Sequence, residues 1–229
     1  LLGFKILPET SKITKSKANM KKYQQAQEPM QFAISLSGEP TIYPYIGELI
    51  SELRKRGKTS FLVTNGLHTE KLQKLIKKKQ FPTQLYISVN APNKKLFDFI
   101  SRSSDKNAWE KFNQSLKLIH KFPRSVFRMN LIKDLNMLDK LIPEYVELIK
   151  KANPMFIEIK GYMSVGFARQ RLGYEKMPSY DEMKEFIIKL VAELKEAGLS
   201  YKLLDSHEFS RAFVLGKDKK DLKIKKIWE

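Results

Sequence analysis

Short apolar runs alternate along the chain with longer segments of amphipathic spacing. Residues 32–36, 61–63, 85–89, 126–132 and 155–159 are apolar runs of strand length. Segments 18–27, 46–56, 69–79, 94–100, 108–121, 137–151 and 179–198 have helical patterning. Pro29 ends the first of these, and Gly57 and Gly198 close two others. A last short strand is predicted over 200–204. Buried strands separated by helices form parallel βαβ units, because the crossover helices cover the sheet. Five such units in succession favour a barrel or a doubly wound sheet. In both folds the ligand site lies beyond the carboxyl ends of the strands. Residues 1–16 read as a loop or arm, 17–215 as one α/β core and 216–229 as a basic tail.

The residues just after each strand therefore carry the candidate chemistry. The first strand ends in Ser37-Gly38-Glu39-Pro40, where glycine permits a tight turn and close approach of a ligand. Glu39 supplies a carboxylate suited to an ammonium group. The second strand ends in Thr64-Asn65-Gly66, and the asparagine offers both donor and acceptor. The third ends in Ser88-Val89-Asn90, and the fourth runs through Arg128, Asn130 and Leu131 to Lys133. The fifth leads through Lys160, Tyr162 and Met163 to Gly166. Taken singly, Gly-Glu-Pro and Asn-Gly are ordinary turn sequences. Five polar, small-residue strand ends converging on one mouth describe a binding site.

Composition narrows this further. The 229 residues include 43 Lys and Arg against 25 Asp and Glu, a formal net charge of +18. Such a surplus attracts polyanions, since each neutralised phosphate releases counterions; a lysine-rich genome is the plainer explanation. There is no cysteine, which excludes disulfides and cysteine-held zinc or iron–sulfur clusters within this sequence. No apolar run approaches a membrane span, and no signal pattern opens the chain, so a cytoplasmic monomer is expected. The three histidines, His68, His120 and His207, lack the spacing of a zinc site.

The stretch from Phe32 to Tyr45 closely resembles radical S-adenosylmethionine enzymes, in particular the tRNA 4-demethylwyosine synthases of wybutosine biosynthesis. Residues 61–66, 82–88, 157–167, 168–172 and 208–211 fit the same family. The resemblance implies a partial (β/α)6 TIM-like barrel of parallel strands with S-adenosylmethionine in its mouth. It implies that Ser37, Gly38 and Glu39 face the methionine amino group, and that Thr64 and Asn65 face the ribose or carboxylate. Ser88 and Asn90 would meet the methionine or ribose part, Arg128, Asn130 and Leu131 the carboxylate and adenine, and Tyr162 and Met163 the adenine or the substrate base. Lys160, Tyr162, Arg169, Arg171, Ser210 and Arg211 are the implied tRNA-facing residues.

Family members condense N1-methylguanosine beside the anticodon of tRNA-Phe with two carbons of pyruvate, closing the third ring of the wyosine base. A reduced 4Fe–4S cluster, fed by a donor such as flavodoxin or ferredoxin, cleaves S-adenosylmethionine to a 5′-deoxyadenosyl radical. The family binds that cluster with a CxxxCxxC loop after the first barrel strand. This chain departs from the pattern. Its first strand looks like the family's second, so the first barrel strand, the cluster loop and the catalytic residues are expected upstream of Leu1. The alternative is a cysteine-less relative that binds only RNA or S-adenosylmethionine. A methyltransferase ranks lower, because no Gly-x-Gly loop follows the first strand.

Among the remaining residues, Lys77-Lys78-Lys79 reads as a solvated helix end, where cations favour the macrodipole. Lys217 to Lys226 reads equally as an RNA contact or a solubilising tail. Tyr43, Tyr45, Tyr162 and Phe167 are candidates for stacking on a splayed base. Core packing is the preferred reading for Tyr45, Phe167 and Trp109.

Overall fold

The computed structural model describes residues 20–35 and 38–224. The predicted arm, the start of the first predicted helix, Leu36, Ser37 and the last five residues of the tail lie outside these. The elements run α1 (Met20–Gln27), β1 (Gln31–Ile34), α2 (Ile46–Lys55), β2 (Thr59–Thr64), α3 (Thr69–Lys77), β3 (Gln84–Val89), α4 (Lys94–Ser101) and α5 (Ala108–Leu116). They continue with β4 (Ser125–Leu131), α6 (Ile142–Ala152), β5 (Phe156–Gly161), α7 (Gly166–Leu172), α8 (Tyr180–Glu196), β6 (Lys202–His207) and β7 (Ala212–Gly216).

Seven strands form one sheet in the order β1-β2-β3-β4-β5-β7-β6. The first five are parallel, in chain order. The expectation of parallel strands holds for these five and fails at the far edge, where β7 runs antiparallel to both β5 and β6. A four-residue turn, 208–211, folds β7 back beside β6. So short a connection joins only antiparallel strands.

One face of the sheet is the main core. Leu62, Ile87, Met129, Ile159 and Phe213 all point there. They share one cluster with Ile50 of α2, Leu72 of α3, Phe112 of α5, Tyr145 of α6 and Phe186 of α8. Each such side chain contributes about 1.5–3 kcal/mol through burial. A smaller cluster, Val126, Phe156 and Leu204, is packed by Tyr86, Val214 and Leu222. By the alternation of the strands it belongs to the opposite face, toward the amino ends of β4 and β5. Arg124 closes that end. Its guanidinium donates to the carbonyls of Asp221 and Leu222 and lies 4.6 Å from the centre of the Phe156 ring. The start of the basic tail is thus docked, with a 3-10 turn over Lys219–Leu222.

Candidate functional site

The first wall of the mouth is the exit of β1. Gly38 has φ +72, and a Cβ there would meet nothing within 4 Å, so a left-handed residue borders open space. Glu39 turns its carboxylate back into the fold. Its Oε1 accepts from the Thr41 hydroxyl at 2.7 Å, the Thr41 N–H at 3.1 Å and the Thr64 hydroxyl at 2.6 Å. Its Oε2 accepts from the Asn65 N–H at 2.8 Å. Glu39 thereby caps the 3-10 turn Pro40–Ile42 and ties the β1 exit to the β2 exit. With three donors already on Oε1, an ammonium group would find its acceptor on Oε2. Thr64 is buried and accepts from the Gly66 N–H at 3.1 Å. The Asn65 side chain closes its own turn by accepting from the Leu67 N–H at 3.0 Å.

The second wall is the open face of the sheet near the strand ends. Register sets Ser88, Arg128 and Glu158 side by side on β3, β4 and β5. One step nearer the mouth, Asn130 lies beside Lys160, and Asn90 follows the end of β3. Pleating sends this set to the face opposite the main core. Glu158 pairs with the Arg128 Nε at 3.2 Å, and the guanidinium lies 5.8 Å from the centre of the Tyr86 ring. Burial first, and the Glu158 charge second, raise the Tyr86 hydroxyl above the usual tyrosine range. Leu131 does not join this set. Its side chain is buried in the main core, and its carbonyl accepts from the Tyr162 N–H at 2.8 Å.

Asn136 holds the β3 and β4 exits together. It is fully buried, and its Nδ2 donates to the carbonyls of Asn90 at 2.7 Å and Asn130 at 2.8 Å. Its Oδ1 accepts from the Ile132 N–H at 2.6 Å, and its own carbonyl accepts from the Tyr145 hydroxyl at 3.1 Å. Burial drives that hydroxyl far above the tyrosine range, so it stays a neutral donor. Sequence reasoning assigns no role to Asn136 or Glu158. Glu158 acts through Arg128 on the neighbouring strand, and Asn136 through backbone groups at the ends of β3 and β4, so no sequence motif marks either.

The third wall is the β5 exit with the β6–β7 turn. Here two expectations change. Tyr162 is only 4% exposed, and its hydroxyl donates to the Ala168 carbonyl at 2.8 Å, so its ring is not free to stack on a base. Phe167 and Tyr45 are not core residues: they are 84% and 63% exposed. Phe167 is carried outward by α7, a helix with no buried residue, and Tyr45 stands at the N-cap of α2, ahead of its buried face. Met163 is exposed as well, whereas Ser164 is buried and its hydroxyl has no hydrogen-bond partner among the described residues. Arg169 lies over the Tyr174 ring at 4.5 Å, and Arg171 donates to the Ile100 carbonyl at 3.2 Å. Ser210 pairs with His207 Nδ1 at 2.7 Å. Arg211 has φ +45, and its carbonyl accepts from the Gly161 N–H at 3.0 Å, which joins the turn to the end of β5. His68 begins α3 without capping it through its side chain.

The described residues contain no group of three or more His, Asp or Glu able to hold a metal ion. No helix among them is long and apolar enough to cross a membrane.

The sequence matches a family model for wyosine base formation over residues 151–217 and one for the radical SAM superfamily over residues 14–149. It is 41% identical over 223 residues to the S-adenosyl-L-methionine-dependent tRNA 4-demethylwyosine synthase of Pyrococcus abyssi, covering 96% of this chain and 61% of that protein. The Schizosaccharomyces pombe synthase is 37% identical over 195 residues, covering 82% of this chain and 28% of that protein. A solved structure of TYW1 with a lysine–pyruvate adduct bound superposes with a TM-score of 0.73 at 38% identity, covering 90% of this chain and 62% of that one. The chain therefore spans about three fifths of the length of its archaeal relative. Its five parallel strands, their polar exits and a superfamily model matched over more than half of its residues agree: the chain belongs to the radical SAM superfamily.

Proposed function

We propose that this chain forms the S-adenosylmethionine and tRNA side of a tRNA 4-demethylwyosine synthase, which condenses N1-methylguanosine beside the anticodon of tRNA-Phe with pyruvate. The observation that carries the reading is the polar double row Ser88–Arg128–Glu158 and Asn90–Asn130–Lys160, set on the open face just below the strand exits. A zwitterionic nucleoside needs a carboxylate partner, donors and acceptors for the ribose, and a groove for the base. Arg128 offers the first, Ser88, Asn90 and Asn130 the second, and the β5 exit the third. Ser164 adds a buried hydroxyl with no hydrogen-bond partner among the described residues, a group that costs free energy unless a ligand satisfies it. The residues present thus fit S-adenosylmethionine. When bound, that cofactor supplies a 5′-deoxyadenosyl radical on reductive cleavage.

A 4Fe–4S cluster does not fit the residues of this chain, which contains no cysteine. The role of the chain is to bind and orient. Glu158 holds the Arg128 guanidinium by its Nε edge, which leaves the terminal N–H groups for a ligand carboxylate. Asn136 fixes the backbone that carries Asn90 and Asn130. Lys160, Arg169 and Arg211 supply positive charge toward the tRNA backbone.

Calorimetric titration of S-adenosylmethionine into the full-length protein tests the site. Arg128→Ala and Asn130→Ala are expected to weaken binding about tenfold or more, in keeping with the loss of a charge-assisted hydrogen bond. Unchanged affinity in both variants would place the cofactor elsewhere.

A further inference from the structure

The turn between β6 and β7 displays a phenylalanine that the fold does not use. Phe209 is 97% exposed, on a turn that is otherwise tightly built. The Arg211 N–H donates to the Glu208 carbonyl at 2.9 Å, closing the turn, and the Ser210 N–H approaches His207 Nδ1 at 3.3 Å. The strands behind it are held as well. Tyr180 stacks on Phe213 at 4.7 Å between ring centres, and its hydroxyl pairs with Ser206 at 2.8 Å. The Arg211 carbonyl receives the Gly161 N–H, so the turn lies next to the β5 exit. That exit displays Phe167, 84% exposed, from the start of α7.

Two bare aromatic rings thus stand on neighbouring segments at the carboxyl end of the sheet. Cations belong to the same segments: Arg211 to the turn, Lys160 to the end of β5 opposite Ala212, and Arg169 and Arg171 to α7, with Glu208 the acidic neighbour in the turn, on a chain of net charge +18. A duplex presents phosphates outward and keeps its bases stacked on one another. Unpaired nucleotides offer ring faces as well, so aromatic and cationic groups interleaved on one rim match a single-stranded loop rather than a helix. Rigid presentation lowers the ordering cost of such a contact.

We propose that Phe209 and Phe167 form a stacking platform for unpaired nucleotides of the RNA substrate, and that it makes the protein prefer a looped RNA to a duplex. The inference rests on the reading of the substrate as tRNA and adds which residues recognise its unpaired part.

The test is fluorescence anisotropy with the full-length protein and two RNAs of equal phosphate count: a stem closed by an anticodon-type loop, and a blunt duplex. Phe209→Ala is expected to weaken loop binding about 5- to 150-fold, the range for losing one stacked base, and to leave duplex binding and the salt slope unchanged. Phe209→Leu, which keeps an apolar side chain of similar reach, is expected to show most of that loss. Arg211→Ala is expected to lower the salt slope for both RNAs. If wild-type protein binds the loop but Phe209→Ala and Phe167→Ala bind it equally well, the platform is overturned and the tRNA reading stands. If wild-type protein binds neither RNA, both fall. A change of oligomeric state in Phe209→Ala, with loop affinity intact, would assign the surface to a second copy of the chain and overturn the platform.

Discussion

Glu39 accepts hydrogen bonds from three residues on two loops. A carboxylate so engaged does two jobs if it also meets a ligand ammonium. Glu39→Ala should therefore lower the stability of the full-length protein by about 1–3 kcal/mol as well as weaken S-adenosylmethionine binding. Urea unfolding with and without the ligand separates the two effects; a residue that only bound ligand would leave the ligand-free midpoint in place. Asn136 makes the stronger case for a structural centre. Asn136→Ala orphans the Ile132 N–H in the core and should cost about 1–3 kcal/mol or more, measured by the same unfolding curves. Of the residues predicted at the mouth, Gly38, Glu39, Thr64 and Asn65 are brought together, as are Ser88, Asn90, Arg128, Asn130 and Lys160. Composition and local motif mark these, because strand-end glycine, asparagine and charge are visible one position at a time. Glu158 is not visible in that way. Its partnership with Arg128 depends on the β4–β5 register, which sequence spacing does not encode.

The same distinction holds for whole elements. Helix α8 is predicted over 179–198 and found over Tyr180–Glu196, because both ends carry local signals. Ser179 and Glu182 form a capping box, and Gly198 follows with φ +78. Ser179→Ala should cost about 1 kcal/mol in thermal unfolding. The Lys133 ammonium, which hydrogen-bonds Glu182, together with the Ser179 N–H, holds the Glu182 carboxyl below its ordinary value of 4.5. A lowered folded-state value stabilises the protein above the unfolded value and loses that effect as pH falls through the folded one. The stability gap between wild type and Glu182→Gln should therefore be full near neutrality and shrink below about pH 4.5. A gap that widened on acidification would contradict the pairing. Helix α7 and strand β7 escape prediction for opposite reasons. The first buries nothing and so has no apolar stripe to detect. The second is a five-residue run whose strand character comes from pairing with both β5 and β6. Predicted helix 137–151 starts late, at Ile142, where Pro143 suits a first turn and a 3-10 segment precedes it.

Across the whole molecule, one face of the sheet is given to the hydrophobic core and the other to a polar stripe. That stripe is plugged at the amino end by Arg124 and the docked tail, and it opens at the carboxyl end into a cationic, aromatic rim. Positive charge at such a rim should make tRNA binding strongly salt-dependent. Arg169→Ala and Arg171→Ala are expected to reduce affinity and the slope of log affinity against log salt, read from titrations at several ionic strengths; an unchanged slope in both would remove them from the phosphate contacts. The proposed role of this fold in wyosine base formation on tRNA is tested directly by nucleoside analysis with mass spectrometry. Full-length protein, reconstituted anaerobically, is incubated with tRNA-Phe carrying N1-methylguanosine, pyruvate, S-adenosylmethionine and reductant. The tricyclic 4-demethylwyosine nucleoside is expected to accumulate only when both pyruvate and S-adenosylmethionine are present. N1-methylguanosine left intact by protein that binds S-adenosylmethionine and tRNA would contradict it.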